Sequence, residues 1–159
     1  KGVCEIANDN AEGQIIISGN KISVSILREE LKENKFKTIP LKVSAPFHCS
    51  LMKPAAENMK EKIKKTNFVK PNHDIVNNVT AKEISDPEQI KELLIEQIYS
   101  TVRWRESLLN ISKKGIKTFV EIGPGKALTG MVKRTIKESN SFSINSIDDI
   151  KNFNNEFKR

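Results

Sequence analysis

An α/β fold is what this sequence predicts, and three features carry the prediction. From about residue 45 onward, short β-branched runs alternate with stretches of helical periodicity, the order of a parallel sheet with crossover helices. Within that region Ile116 to Ile122, Gly123-Pro124-Gly125 and Ala127 to Glu138 read as strand, sharp turn and helix in direct succession. Residues 1–44 differ, with two strand-like runs ahead of one helix, as in part of a small α+β unit. A chain of 159 residues, 37% hydrophobic and 30% charged, has the apolar side chains for a core.

Taken in order, Val3 to Ala7 is a first strand, the polar run Asn8 to Gly13 turns, and Gln14 to Ser18 returns, predicting a β-hairpin. With Asn20 as N-cap, Val24, Leu27 and Leu31 recur at helical spacing to about Asn34. Thr38 to Ser44 alternates, placing Ile39, Leu41 and Val43 on one face of a strand that delivers Ala45-Pro46-Phe47-His48-Cys49 into a loop. Met52, Ala56, Met59 and Ile63 form an amphipathic stripe, with Pro54 in the tolerant first turn of its helix. Asp74 to Val79 reads as a short strand. Asp86 and Pro87 supply an N-cap and a first helical residue for a helix through about Tyr99, its buried stripe holding Ile90, Leu93, Leu94 and Ile98. Trp104 to Lys114 is a further helix stopped by Gly115. Ser141 to Ile147 is a last strand, and Ile150, Phe153 and Phe157 suit a short terminal helix.

The formal net charge of +7 is mostly lysine, and the lysines alternate with glutamates as on solvated helix faces. That pattern speaks against nucleic acid as the partner. No apolar run approaches the roughly 18 residues of a membrane span, and no leader opens the sequence. Cys4 and Cys49 lack partners at metal-ligand spacing and are too few for a disulfide framework, which fits a reducing compartment. A soluble cytoplasmic protein without a metal site or a membrane span is the expectation. Because the chain begins at Lys1 and enters a strand almost at once, it reads as a fragment.

His48, in a loop at a strand end, offers a general base, although a loop histidine bonded to backbone has the same sequence signature. Cys49 beside it points the other way on extended chain and reads as a small buried side chain. His73 reads as a solvent-facing turn residue and Trp104 as core. Gly123-Pro124-Gly125-Lys126 precedes a helix but has neither the Walker spacing nor Gly-x-Gly-x-x-Gly, so a strand-to-helix turn is the better account. Asn77-Asn78 fits either a polar site or a turn. None of the thirteen serines lies in Gly-x-Ser-x-Gly, so the chain offers a base without a nucleophile elbow.

Set together, five segments resemble, in order, motifs of the malonyl-CoA:acyl carrier protein transacylase family. They are Asn8 to Gly19, Ser44 to Pro54 (SAPFHCSLMKP), Ile75 to Val79, Gln97 to Trp104, and Glu121 to Gly130 (EIGPGKALTG). The resemblance implies the C-terminal part of an α/β-hydrolase-like parallel-sheet subdomain, residues 45–159, plus part of an inserted ferredoxin-like α+β subdomain, residues 1–44. It implies malonyl transfer from coenzyme A to the phosphopantetheine thiol of acyl carrier protein in fatty acid biosynthesis, with no cofactor beyond the substrate malonyl-CoA. In the family the absent N-terminal half carries the nucleophilic serine, a glutamine of the oxyanion hole and an arginine for the malonyl carboxylate. The isolated chain is therefore expected to be inactive and poorly stable, its partners being malonyl-CoA, acyl carrier protein and that missing half. The alternative is a catalytically silent remnant, or the scaffold or binding half of a split acyltransferase.

Carried over residue by residue, His48 matches the base, and the backbone carbonyl of Gln97 matches the group that orients it. Phe47 matches the residue that narrows the pocket beside the acyl α-carbon. Asn8 and Asn10 match positions facing the active-site gorge, as contacts for the acyl thioester or pantetheine arm, or else simply serve the hairpin turn.

Overall fold

Gly13 takes a left-handed φ of 72° at the tip of the first hairpin. In the computed structural model, which describes residues 2–157, the chain folds back there and strand β1 (Cys4–Ala11) pairs antiparallel with β2 (Gln14–Gly19). Register shifts between Ile6 and Asn8 and between Asp9 and Ala11 break the alternation, so Ala7, Asn10 and Ala11 are all buried. Helix α1 (Lys21–Glu33) starts after Asn20 as expected. The Asn20 side chain, however, makes no cap bond, and its Oδ1 accepts the Val3 N–H at 2.6 Å, tying the helix start to the hairpin.

The strand expected over Thr38 to Ser44 does not form. The segment is irregular, with Ile39, Leu41 and Val43 68%, 56% and 62% exposed. A strand needs a neighbouring edge to take its N–H and C=O groups, and no described strand pairs with it.

A 3-10 turn, Ser50–Met52, leads into α2 (Lys53–Lys65), which packs on α3 (Pro87–Gln97). Of the expected stripe on α2, Ala56 is buried, Met52 and Ile63 are half-buried and Met59 is exposed. Asp86 caps α3 as predicted, its Oδ1 accepting the Gln89 N–H at 2.8 Å. The helix ends at Gln97, two residues before Tyr99, and its inner face takes Leu93 while leaving Leu94 exposed. Between the two helices lies an antiparallel pair, β3 (Ile75–Val76) and β4 (Glu83–Ile84). Here β3 is shorter than expected because the Asn77 Oδ1 takes the Val79 N–H at 2.7 Å and turns the chain. His73 is exposed in a bend, as read from the sequence.

The remaining residues form α4 (Trp104–Lys113), β5 (Thr118–Ile122), α5 (Ala127–Thr135), β6 (Asn140–Ile144) and α6 (Ile147–Phe157). Strands β5 and β6 are parallel and joined through α5, the unit that the strand–turn–helix reading predicts. Strand β6 stops at Ile144, short of Ile147, as the Asp149 carboxylate takes the Asn145 N–H at 2.9 Å. Phe153 meets Phe142 edge-on with ring centroids 5.3 Å apart; the side chain of Phe157 lies outside the described residues. The fold is thus mixed α/β. Among the described residues each sheet has two strands and only β5–β6 is a parallel pair, so the wider parallel sheet expected from the alternation is not formed by them. No described helix is long and apolar enough to cross a membrane.

The buried apolar side chains are small or few: Ala7, Ala56, Ala81, Leu93, Leu108 and Val132 are the main ones. Trp104 is half-buried, and its indole N–H is buried with no partner among the described residues.

The glycine turn after β5 has a structural explanation. Gly123 and Gly125 adopt φ of 134° and 100°, which a side chain would disfavour. The Glu121 carboxylate then accepts the Leu128 N–H at 3.2 Å and the Thr129 N–H and hydroxyl at 2.7 Å each, filling the helix N-terminus that an anion would otherwise use. The backbone and side-chain bonds from Thr129 hold this carboxyl below its ordinary range. A carboxyl with a lowered folded pKa stabilises fully above its unfolded value, about 4.3, and loses that contribution as pH falls through the folded one. Glu121→Gln is expected to lower the unfolding midpoint at neutral pH and to flatten its decline on acidification. Thermal unfolding followed from about pH 7 to about pH 3 checks this, and an unchanged slope would remove Glu121 from the acid response.

Candidate active site

The loop that follows residues 38–44 turns sharply at His48, whose φ of 58° is left-handed. Such backbone costs a non-glycine residue roughly 1–3 kcal/mol and persists where surrounding contacts impose it. Several do so here. Cys49 is fully buried and its thiol donates to the Pro46 carbonyl at 3.2 Å, which is the small-core-residue role expected of it. The Met52 N–H donates to the Cys49 carbonyl at 2.9 Å, starting the turn into α2.

The imidazole itself reaches across to α3, with His48 Nδ1 3.0 Å from the Gln97 carbonyl oxygen. Gln97 is the last residue of α3, so its carbonyl is one of the helix-end acceptors without an intrahelical donor. A carbonyl only accepts, so this contact requires the hydrogen on Nδ1, and in the neutral ring Nε2 then carries the lone pair. The residue is half-buried, and this contact fixes the Nδ1 edge of its ring.

Of the other residues singled out, Phe47 stands next to the histidine and is 45% exposed. Asn8 and Asn10 are on β1, Asn8 half-buried and Asn10 buried. Neither asparagine has a hydrogen bond to His48 or Gln97 among the described residues, and the tight turn lies beyond both, at Glu12 and Gly13. Asn8 instead takes part in a parallel bridge to Val102. That bridge rests on the Val102 N–H to the Ala7 carbonyl at 2.8 Å and the Asp9 N–H to the Val102 carbonyl at 2.9 Å. The Thr101 hydroxyl adds a bond to the Ile6 carbonyl at 2.6 Å, and Arg105 grips Asp9 with Nε and Nη2 at 2.8–3.0 Å. Strand β1 is thereby locked to the chain just beyond Gln97.

Sequence reasoning missed the Asp9–Arg105 pair and a second pair nearer the histidine. The Glu5 carboxylate accepts the Ser50 N–H at 2.8 Å and the Ser50 hydroxyl at 2.6 Å, and these bonds, the hydroxyl's first, hold the carboxyl below its ordinary range. A serine ahead of a helix was the one available signal; nothing in the sequence marks Glu5 as its partner. Among the described residues no group of three or more His, Cys, Asp or Glu side chains is arranged to hold a metal.

A malonyl CoA-acyl carrier protein transacylase of Bacillus subtilis is 42% identical over 147 residues, covering 92% of this chain and 46% of the relative. The crystal structure of an acyl-carrier-protein S-malonyltransferase from Bartonella henselae superposes with a TM-score of 0.93 at 39% identity, over 99% of this chain and 50% of that one. A malonyl-transacylase solved in complex with its type II polyketide-synthase acyl carrier protein superposes with a TM-score of 0.90 at 34% identity, over 94% of this chain and 49% of that one. The chain therefore spans about half the length of the relatives it matches. The family model for the acyl transferase domain matches residues 3–157, so nearly every described residue, the histidine turn included, is accounted for by one family: the chain belongs to the acyl transferase domain family.

Proposed function

We propose that this chain is the C-terminal part of a malonyl-CoA:acyl carrier protein transacylase and supplies its histidine base. The observation that carries the reading is the 3.0 Å contact between His48 Nδ1 and the Gln97 carbonyl, which leaves Nε2 as a lone-pair acceptor. In the first half-reaction a serine outside these residues attacks the thioester carbonyl of malonyl-CoA. Nε2 takes the serine proton, the C–S bond breaks, and the imidazolium returns the proton to the coenzyme A thiolate. In the second, Nε2 takes the proton of the carrier protein's phosphopantetheine thiol. The thiolate attacks the malonyl ester, the C–O bond breaks, and the proton goes back to the serine. Throughout, the Gln97 carbonyl holds the ring in one orientation, the role a carboxylate plays in Ser-His-Asp sites.

Residues 1–44 form, in this reading, part of an inserted ferredoxin-like unit, supported by the hairpin and α1. Residues 45–159 belong to a larger α/β-hydrolase-like unit, supported by the parallel β5–α5–β6 unit. The missing half of the domain covers the apolar rows left open here: Ile39, Leu41 and Val43, and on β5 Val120 and Ile122, the latter 81% exposed. Asn8 and Asn10 face the acyl thioester or pantetheine arm from β1. The acidic carrier protein meets a surface with surplus lysine, which acts more on association rate than on affinity.

The direct test is reconstitution. Co-expressed with the portion of the Bacillus subtilis relative that it does not match, the chain is expected to transfer malonyl from coenzyme A to holo-acyl carrier protein. A folded complex without transfer would overturn the reading in favour of a silent half. Phe47 beside the base disfavours α-branched acyl groups by roughly 1–3 kcal/mol per misplaced methyl. In the same assay Phe47→Ser is expected to raise the ratio of methylmalonyl to malonyl transfer, and an unchanged ratio would take Phe47 out of specificity.

A further inference from the structure

We propose that Glu5 is a positioning residue for His48: from β1 its carboxylate takes both the N–H and the hydroxyl of Ser50, and so fixes the left-handed turn that presents the imidazole to the Gln97 carbonyl. This deepens the reading of His48 as the base and rests on it. The other bonds that shape the turn, Cys49 thiol to Pro46 carbonyl and Met52 N–H to Cys49 carbonyl, are internal to the loop and travel with it. Glu5 instead reaches the loop from a residue 45 positions earlier, and Gln97 reaches the ring from 49 positions later.

These two distant supports belong to one frame. Strand β1 is hydrogen-bonded to Thr101 and Val102, four and five residues beyond Gln97, through Ile6, Ala7 and Asp9. The histidine turn is thus held on its following side by Glu5 and at its ring by Gln97, and both supports move as a unit. A carboxylate suits the task because Ser50 offers two donors and Glu5 offers two acceptors. An amide would set its own N–H₂ against one of them. The charged or titratable groups facing Glu5 are Lys53 on α2, which favours the carboxylate, and Cys4 on its own strand.

The test uses the reconstituted two-part enzyme with ¹⁵N-labelled histidine. Wild type is expected to show His48 as the Nδ1–H tautomer. Glu5→Gln is expected to shift population toward the Nε2–H form and to lower kcat for serine malonylation about ten- to hundredfold, with KM for malonyl-CoA little changed. Glu5→Asp, which keeps charge but reaches one donor, is expected to fall between the two. Glu121→Gln, which removes a carboxylate from a different helix start, is expected to leave the tautomer as in wild type. A Glu5→Gln enzyme with lower thermal stability but unchanged tautomer and kcat would make Glu5 merely structural and overturn the proposal. If Glu5→Gln does not assemble, Ser50→Ala, which removes only the hydroxyl bond, decides the matter: a partial tautomer shift supports the proposal and none overturns it. A tautomer shift in Glu5→Gln alongside full turnover in His48→Ala would refute the base while leaving the positioning intact, so the two failures are distinguishable.

Discussion

His48→Ala in the reconstituted enzyme is expected to slow both half-reactions about 10²–10⁴-fold, a barrier increase of roughly 3–5 kcal/mol, while folding and coenzyme A binding stay close to wild type. The size follows from one imidazole serving as acceptor for the serine proton and then for the carrier thiol proton. The sparing of the fold follows from placement, since the ring is half-buried in a loop and its one bond is to a helix-end carbonyl that water can satisfy. Single-turnover malonylation of the serine, normalised to folded protein and measured from about pH 5 to about pH 9, separates the possibilities. A mutant within about threefold of wild type, with the same acidic limb, would mean that the histidine is structural.

Leu41→Asp is expected to abolish association with the complementary portion, weakening it by at least about a hundredfold. Leu41 is 56% exposed between Ile39 and Val43, which are similarly open. An exposed apolar row of this kind is what an interface lacking its other side presents. Burying a leucine contributes about 1.5–3 kcal/mol, and an unpaired carboxylate in its place costs several more. Calorimetric titration of the two portions measures the effect, with Lys62→Asp on α2 as a comparison outside this row. Equal affinities for wild type and Leu41→Asp would show that the other portion docks elsewhere.

What the sequence disclosed, it disclosed where the determinants are local. The hairpin was legible because Gly13 supplies the left-handed turn, α3 because Asp86 and Pro87 form a cap, and β5–α5–β6 because Gly123 and Gly125 punctuate it. Thr38 to Ser44 has the alternation of a strand, but alternation sets only which faces are apolar; pairing needs an edge beside it, which the sequence of one strand cannot announce. Helical spacing puts Leu94 on the apolar stripe of α3 but does not fix how wide a stripe α2 covers, and Leu94 stays exposed. At the site, His48 was visible by residue type and motif. The Gln97 contact uses a backbone carbonyl, which every residue has, and was reached only through the family resemblance. Glu5–Ser50 and Asp9–Arg105 were illegible because acidic residues on a hairpin look the same whether they face water or a partner far along the chain.

The bridge between β1 and residues 101–102 also sets the order in which the molecule can be assembled. Asp9 is bound by a guanidinium 96 residues later, Ile6 by a hydroxyl 95 later, and His48 meets its carbonyl 49 later. During synthesis at about 5–20 residues per second, the hairpin and α1 leave the ribosome several seconds before the segment that locks them. Until then the histidine turn has no ring partner, and closing such long loops must be offset by contacts formed late. The Thr101–Arg105 seam is thus a closure made late in synthesis, and it ties down β1 and with it the Glu5 clasp on the histidine loop.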